Sequence, residues 1–217
     1  MSNLSYMQKA TDRGQLQIHV TTERGFFPIK DASIRLSYTG NPTEIIEELS
    51  TDISGQTAAV ELPAPPLEYS MEPSEFQPYS EYTIQVNASG YRPINISGIS
   101  VLPDKTSIQN VRMETATVEN PLERNIVITA NTLYGNFPPK IPEDEIKPMT
   151  ESGEIVLSRV VIPEYVIVHD GPPSDSSAND YYVRYRDYIK NVASSEIYAT
   201  WPDAALRANI LAIMSFT

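Results

Sequence analysis

A chain of 217 residues with 28 Asp and Glu against 16 Lys and Arg, a formal charge of −12, has no cation surplus with which to neutralise phosphates. A sequence-blind DNA or RNA partner is therefore excluded. Cysteine is absent, which removes disulfide frameworks, thiolate nucleophiles and Cys-ligated zinc. The length allows one large domain, or one of about 100–130 residues with a smaller second part.

Met1 to Arg24 contains charges and no continuous apolar stretch, so no signal peptide or membrane span is visible there. Residues 1–13 read as a flexible amino-terminal segment. Leu16, Ile18 and Val20 then alternate, and Ile34, Leu36 and Tyr38 repeat the period of two that marks half-buried strands. A turn at Thr51-Asp52-Ile53-Ser54-Gly55 precedes Ala59-Val60-Glu61-Leu62-Pro63. The segments Tyr82 to Val86, Ile94 to Ile96 and Ser107 to Met113 complete about seven short strands. Their Gly, Pro and Asp punctuation predicts a mainly β chain with an antiparallel β-sandwich over residues 14–115.

Proline density from Leu62 to Pro78 argues against a central strand there, because each proline lacks a ladder donor, and predicts an ordered crossing loop. Residues 116–153 read as a linker. Its stretch Asn136–Gly153 is proline-rich and carries Glu143-Asp144-Glu145, a composition suited to exposure and cleavage. From 154 to 217 a truncated α+β segment is expected: strand-like Ile155–Leu157 and Tyr165–Val168, a turn at Asp170-Gly171-Pro172-Pro173-Ser174-Asp175, and two closing helices.

His19 sits alone on the outward side of its strand. His169 beside Asp170 could hold a loop or a cation, but without a second ligand-spaced histidine no metal centre is expected. In the penultimate helix Ile189, Val192 and Ala193 recur at three and four residues, and Glu196 follows on the same stripe. Two readings stay open. A carboxyl on a buried stripe is pushed toward the neutral form that a general acid requires; alternatively the helix has already ended and Glu196 faces solvent. Thr200 with Asp203 makes a capping-box spacing, and Pro202 sits in the first turn. Leu206, Ile210, Leu211, Ile213 and Met214 then make a helix apolar enough to need cover on most sides. The sequence stops within it at Ser215-Phe216-Thr217, so the chain reads as a processed or truncated piece.

Two stretches resemble known families. The pieces Pro28 to Ile34, Thr51-Asp52-Ile53-Ser54-Gly55 and Tyr82 to Tyr91 resemble the carboxypeptidase regulatory-like, transthyretin-like sandwich family, whose pattern has a Thr-Asp-x-x-Gly turn and an Ala-x-Gly-Tyr tip. Asp52 would accept backbone N–H bonds in its turn, while Gly55 and Gly90 would supply permissive dihedrals. That family implies an accessory or folding module without chemistry.

The run Asp187 to Asn209 resembles the SpoIID-type lytic transglycosylases of sporulating bacteria, most specifically at Trp201-Pro202 and Ala205-Leu206-Arg207-Ala208. The family's catalytic acid falls on Glu196. The sequence departs from the pattern at Ile197-Tyr198, where the family has Met-Pro, and from Asn209 to Ser215, where a Gln-Ala-x-Ala-x-Arg-Thr run is usual. The two resemblances in tandem are similar to clostridial spore cortex-lytic enzymes made with an amino-terminal pro-region. They imply a spore location, cortex peptidoglycan as partner of the full-length protein, an activating protease, and neither cofactor nor metal. Ser195, Tyr198 and Trp201 are implied supporting or sugar-facing residues, with Trp201 reading as a packing residue first. The rival class is a non-catalytic interaction module of the spore or cell envelope.

Overall fold

The structure, a computed structural model, describes residues 12–72, 75–117, 122–131, 133, 162–172 and 175–216. The expected linker stretch Asn136–Gly153, the strand Ile155–Leu157 and most of the amino-terminal segment lie outside them. The chain divides into two compact units, Met1–Gly135 with Tyr198–Pro202, and Asn136–Ile197 with Asp203–Thr217.

In the first unit, apolar alternation produces strands whose one face is sealed: Leu16, Ile18 and Val20 are fully buried on β1 (Asp12–Thr22), as are Ile34 and Leu36 on β2 (Ser33–Tyr38). There follow β3 (Asn41–Ser50), β4 (Val60–Ala64), the short helix α1 (Glu68–Met71), β5 (Ser80–Asn87), β6 (Ile94–Val101), β7 (Thr106–Met113) and β8 (Arg124–Val127). They form a three-stranded sheet in the order β4-β1-β7 and a five-stranded sheet in the order β3-β2-β5-β6-β8. A single apolar cluster draws on both, with Leu16, Leu62 and Val111 from the smaller sheet meeting Ile34, Ile84 and Ile96 from the larger. Each such side chain contributes about 1.5–3 kcal/mol by leaving water. Between the sheets, the Tyr82 hydroxyl donates to the Pro63 carbonyl at 2.6 Å, and burial raises the phenol above its ordinary pKa.

Three details differ from the expectation. The pairs β1–β7 and β6–β8 are parallel, where antiparallel pairing was expected throughout: β1 and β7 are joined only after the chain has run through the other sheet. Sheet structure extends beyond the limits 14–115, since Asp12 and Arg13 begin β1 and β8 lies within the stretch read as linker. Glu114 ties that extension down by accepting from Arg92 at 3.1 Å and from Arg124 at 2.8 Å. The proline-rich stretch also begins as a strand: Pro63 lies in β4, at the edge of its sheet, where a missing donor is tolerated.

The second unit contains the antiparallel hairpin β9 (Tyr165–His169) and β10 (Asp180–Arg184), followed by α2 (Tyr185–Ser194) and α3 (Asp203–Phe216). Its buried cluster is small. Tyr185, Ile189 and Ile213 are packed by Val166, Val192, Ala193, Ile210 and Met214, so the apolar stripe of α2 meets that of α3. Leu211 remains 65% exposed on the far side of α3. Among the described residues, no helix is long and apolar enough to cross a membrane.

Candidate functional site around Glu196

The α2–α3 contact determines what surrounds Glu196. The helix α2 ends at Ser194, and Ser195 takes the C-cap position with its amide bonded to the Val192 carbonyl at 3.0 Å. Glu196 therefore lies one residue beyond the cap, its own amide on the Ala193 carbonyl at 3.1 Å, and its side chain is exposed. Of the two readings, the structure gives the solvent-facing one; the helix stops before the apolar stripe reaches 196. The side chain is nonetheless held. Asn209, half-buried in the second turn of α3, donates from Nδ2 to Glu196 Oε2 at 2.8 Å.

The other expected residues are placed differently. The Ser195 hydroxyl donates to the Asn191 carbonyl at 3.0 Å, a local bond that commits its proton to the helix end. Tyr198 and Trp201 group with the first unit, where the Trp201 indole N–H donates to the Ser70 carbonyl at 2.8 Å. Trp201 is thus half-buried and bonded as a packing residue is. The expected capping box at Thr200 is absent. The Thr200 hydroxyl is buried without a partner, and α3 begins at Asp203 after Pro202, because a turn from Tyr198 to Trp201 intervenes.

In the first unit, Asp52 Oδ1 accepts from the Ser54 and Gln56 amides at 2.8 and 3.0 Å. Gly55 has φ +71° and Gly90 φ +83°. These residues shape turns. A shallow cleft of about 270 Å³ spanning the three strands of the smaller sheet is lined in part by Arg13, Glu61, Asp104 and Lys105. Arg13 and Glu61 pair with each other at 2.9 Å, and Asp104 and Lys105 carry opposite charges, so the lining has no net charge of one sign. His19 is half-buried rather than exposed, and its Nε2 is enclosed without a partner. No group of three His, Cys, Asp or Glu side chains converges as a metal site among the described residues.

His169 clips the β9–β10 hairpin. Its Nδ1 lies 2.9 Å from Asp180 Oδ1 and its Nε2 3.1 Å from the Pro172 carbonyl. Both partners are acceptors, so only the imidazolium, a donor at both nitrogens, satisfies them together. The bond to Asp180 is the chief cause that raises the His169 pKa above its ordinary value. A raised folded-state pKa means the clip is fully present below the unfolded value and lost as pH rises through the folded one. Exchange protection of the Asp170 amide, which donates to the Asn179 carbonyl at 2.9 Å, should therefore fall from pH 6 to 9 after correction for intrinsic base catalysis. His169→Gln should flatten that dependence; an equally steep profile in the variant would show that the histidine is not its source.

No family model matches the chain, and no curated protein does. Among solved structures, it is similar to the Bacillus anthracis TIE protein (17% identity, 48% of this chain and 17% of that one, TM-score 0.33). It is similar also to GBS52, the minor pilin of Streptococcus agalactiae (15% identity, 49% and 46%, TM-score 0.34). A third is Klebsiella pneumoniae 5-hydroxyisourate hydrolase (16% identity, 48% and 92%, TM-score 0.31). The chain thus spans less than a fifth of the first and under half of the second. Likenesses at this level identify neither a family nor an activity.

Proposed function

We propose that the chain is the amino-terminal part of a peptidoglycan lytic transglycosylase of the SpoIID type, a spore cortex-lytic enzyme similar in arrangement to the clostridial SleC. What carries this reading is the run Asp187 to Asn209, whose resemblance to the family motif puts the acid on Glu196; in the structure that carboxyl is solvent-accessible and accepts from Asn209 Nδ2 at 2.8 Å. In the full-length enzyme the acid protonates the glycosidic oxygen between N-acetylmuramic acid and N-acetylglucosamine as the C1–O bond breaks. The resulting carboxylate accepts the proton of the muramic C6 hydroxyl, which attacks C1 and closes the 1,6-anhydro ring. One carboxyl acting as acid and then base replaces the pair that hydrolytic glycosidases use. The reaction needs no metal or cofactor.

The first unit, in this reading, is a transthyretin-like β-sandwich of the carboxypeptidase regulatory-like kind. It serves latency or folding and is separated by protease cleavage in the Asn136–Gly153 stretch. A second reading, a non-catalytic envelope module, is favoured by one feature: the first unit closes its own core and gathers no acid–base constellation among its described residues. Muropeptide release from spore cortex by the full-length enzyme, compared with its Glu196→Gln variant, separates the two. Undiminished release would remove Glu196 as the acid.

A further inference from the structure

We infer that Asn209 is a positioning residue for Glu196 that fixes which carboxyl oxygen carries the transferable proton. The inference rests on the reading of Glu196 as the acid and goes beyond it by assigning a role to a residue of the next helix. A carboxyl has two oxygens of similar basicity, and a freely rotating exposed side chain presents either. Here the Asn209 carboxamide donates to Oε2 at 2.8 Å, so that oxygen must act as an acceptor. With the amide in this orientation, a neutral Glu196 places its O–H at Oε1, because a carbonyl oxygen is a better acceptor for the Asn209 N–H than a hydroxyl oxygen is. While Glu196 is ionised, only the amide nitrogen of Asn209 can make this bond. Its Oδ1 would face the carboxylate as one acceptor against another, so the contact also fixes the amide orientation and leaves Oδ1 enclosed without a partner.

Packing holds the geometry. Ile210, next to Asn209, belongs to the cluster in which Val192 and Ala193 of α2 meet Ile213 and Met214 of α3. The helix end carrying Glu196 and the helix turn carrying Asn209 are thus joined by buried contacts, which suits a carboxyl that must meet a glycosidic oxygen in one orientation.

Two measurements test this. In the present chain, the Asn209 side-chain NH₂ resonances in a ¹⁵N–¹H spectrum should move with pH as Glu196 ionises, and the movement should vanish in Glu196→Gln. Static Asn209 resonances in the unsubstituted chain would overturn the contact. In the full-length enzyme, Asn209→Leu should lower kcat roughly tenfold or more with KM little changed, and shift the pH profile. Asn209→Gln, which keeps the carboxamide, should recover most of the loss. If Asn209→Leu leaves kcat and the pH profile intact while Glu196→Gln is inactive, the positioning role fails and the functional reading stands. If Glu196→Gln is itself active, the functional reading fails and the catalytic role of Asn209 falls with it, whatever the spectra show.

Discussion

With Glu196 as the proposed acid, Glu196→Gln in the full-length protein is expected to reduce kcat for muropeptide release at least about a hundredfold, with peptidoglycan binding retained. General acid–base transfer by a placed side chain contributes on the order of 10²–10⁴ in rate, and each factor of ten corresponds to about 1.4 kcal/mol of barrier. The substitution is a clean one. Glutamine matches the carboxyl in shape, its carbonyl can still accept from Asn209, and the exposed position places no demand on the core. A loss confined to KM would indicate a binding role. A kcat within about threefold of the unsubstituted enzyme would assign the proton transfer to another group.

A large stability effect is expected at Gly55. A β-carbon there would lie 2.4 Å from the Val20 carbonyl oxygen and 3.1 Å from the Ile29 amide nitrogen, both backbone atoms, in a residue at φ +71°. Gly90 is the natural control: φ is +83°, and nothing lies within 4 Å of the added carbon. Left-handed backbone costs an alanine about 1–2 kcal/mol at either site, whereas displacing packed backbone at Gly55 adds about 1–3 kcal/mol. Denaturant titration should therefore show Gly90→Ala losing about 1–2 kcal/mol and Gly55→Ala about 2–5 kcal/mol. Equal losses would mean that the loop at 52–55 yields, and that the close approach to Val20 does not constrain the sheet.

The same contrast shows how much the sequence reveals. Strands whose inward residues alternate, such as β1 and β2, are legible because one sealed face imposes a period of two. β3 is not. Its residues Asn41-Pro42-Thr43-Glu44-Ile45-Ile46-Glu47-Glu48-Leu49-Ser50 form the edge of the larger sheet and remain largely exposed, with charges where a central strand would have apolar side chains. β8 is four residues long and joins the sheet beside β6 from far along the chain, a pairing no local signal announces.

At the candidate site, the helix motif singles out Glu196, but periodicity alone leaves open whether α2 reaches it. Ser195 is already the C-cap, and a stripe has meaning only while the helix continues. Asn209 is invisible as a partner because its bond to Glu196 spans 13 residues and exists only once the two apolar stripes have packed. The available signal was a short polar side chain adjoining Ile210 on the packed face of α3. Thr200 misleads in the opposite direction: its capping spacing is correct, yet its hydroxyl finds no donor because α3 starts later.

The chemistry of the cut ends tests the central claim most directly. Spore cortex peptidoglycan incubated with the full-length enzyme should yield muropeptides ending in 1,6-anhydromuramic acid, lighter by one water than hydrolysis products and resistant to borohydride reduction. Reducible muramic acid ends in their place would show that water, not the C6 hydroxyl, attacks C1, and would contradict the assignment of a single carboxyl serving as acid and base.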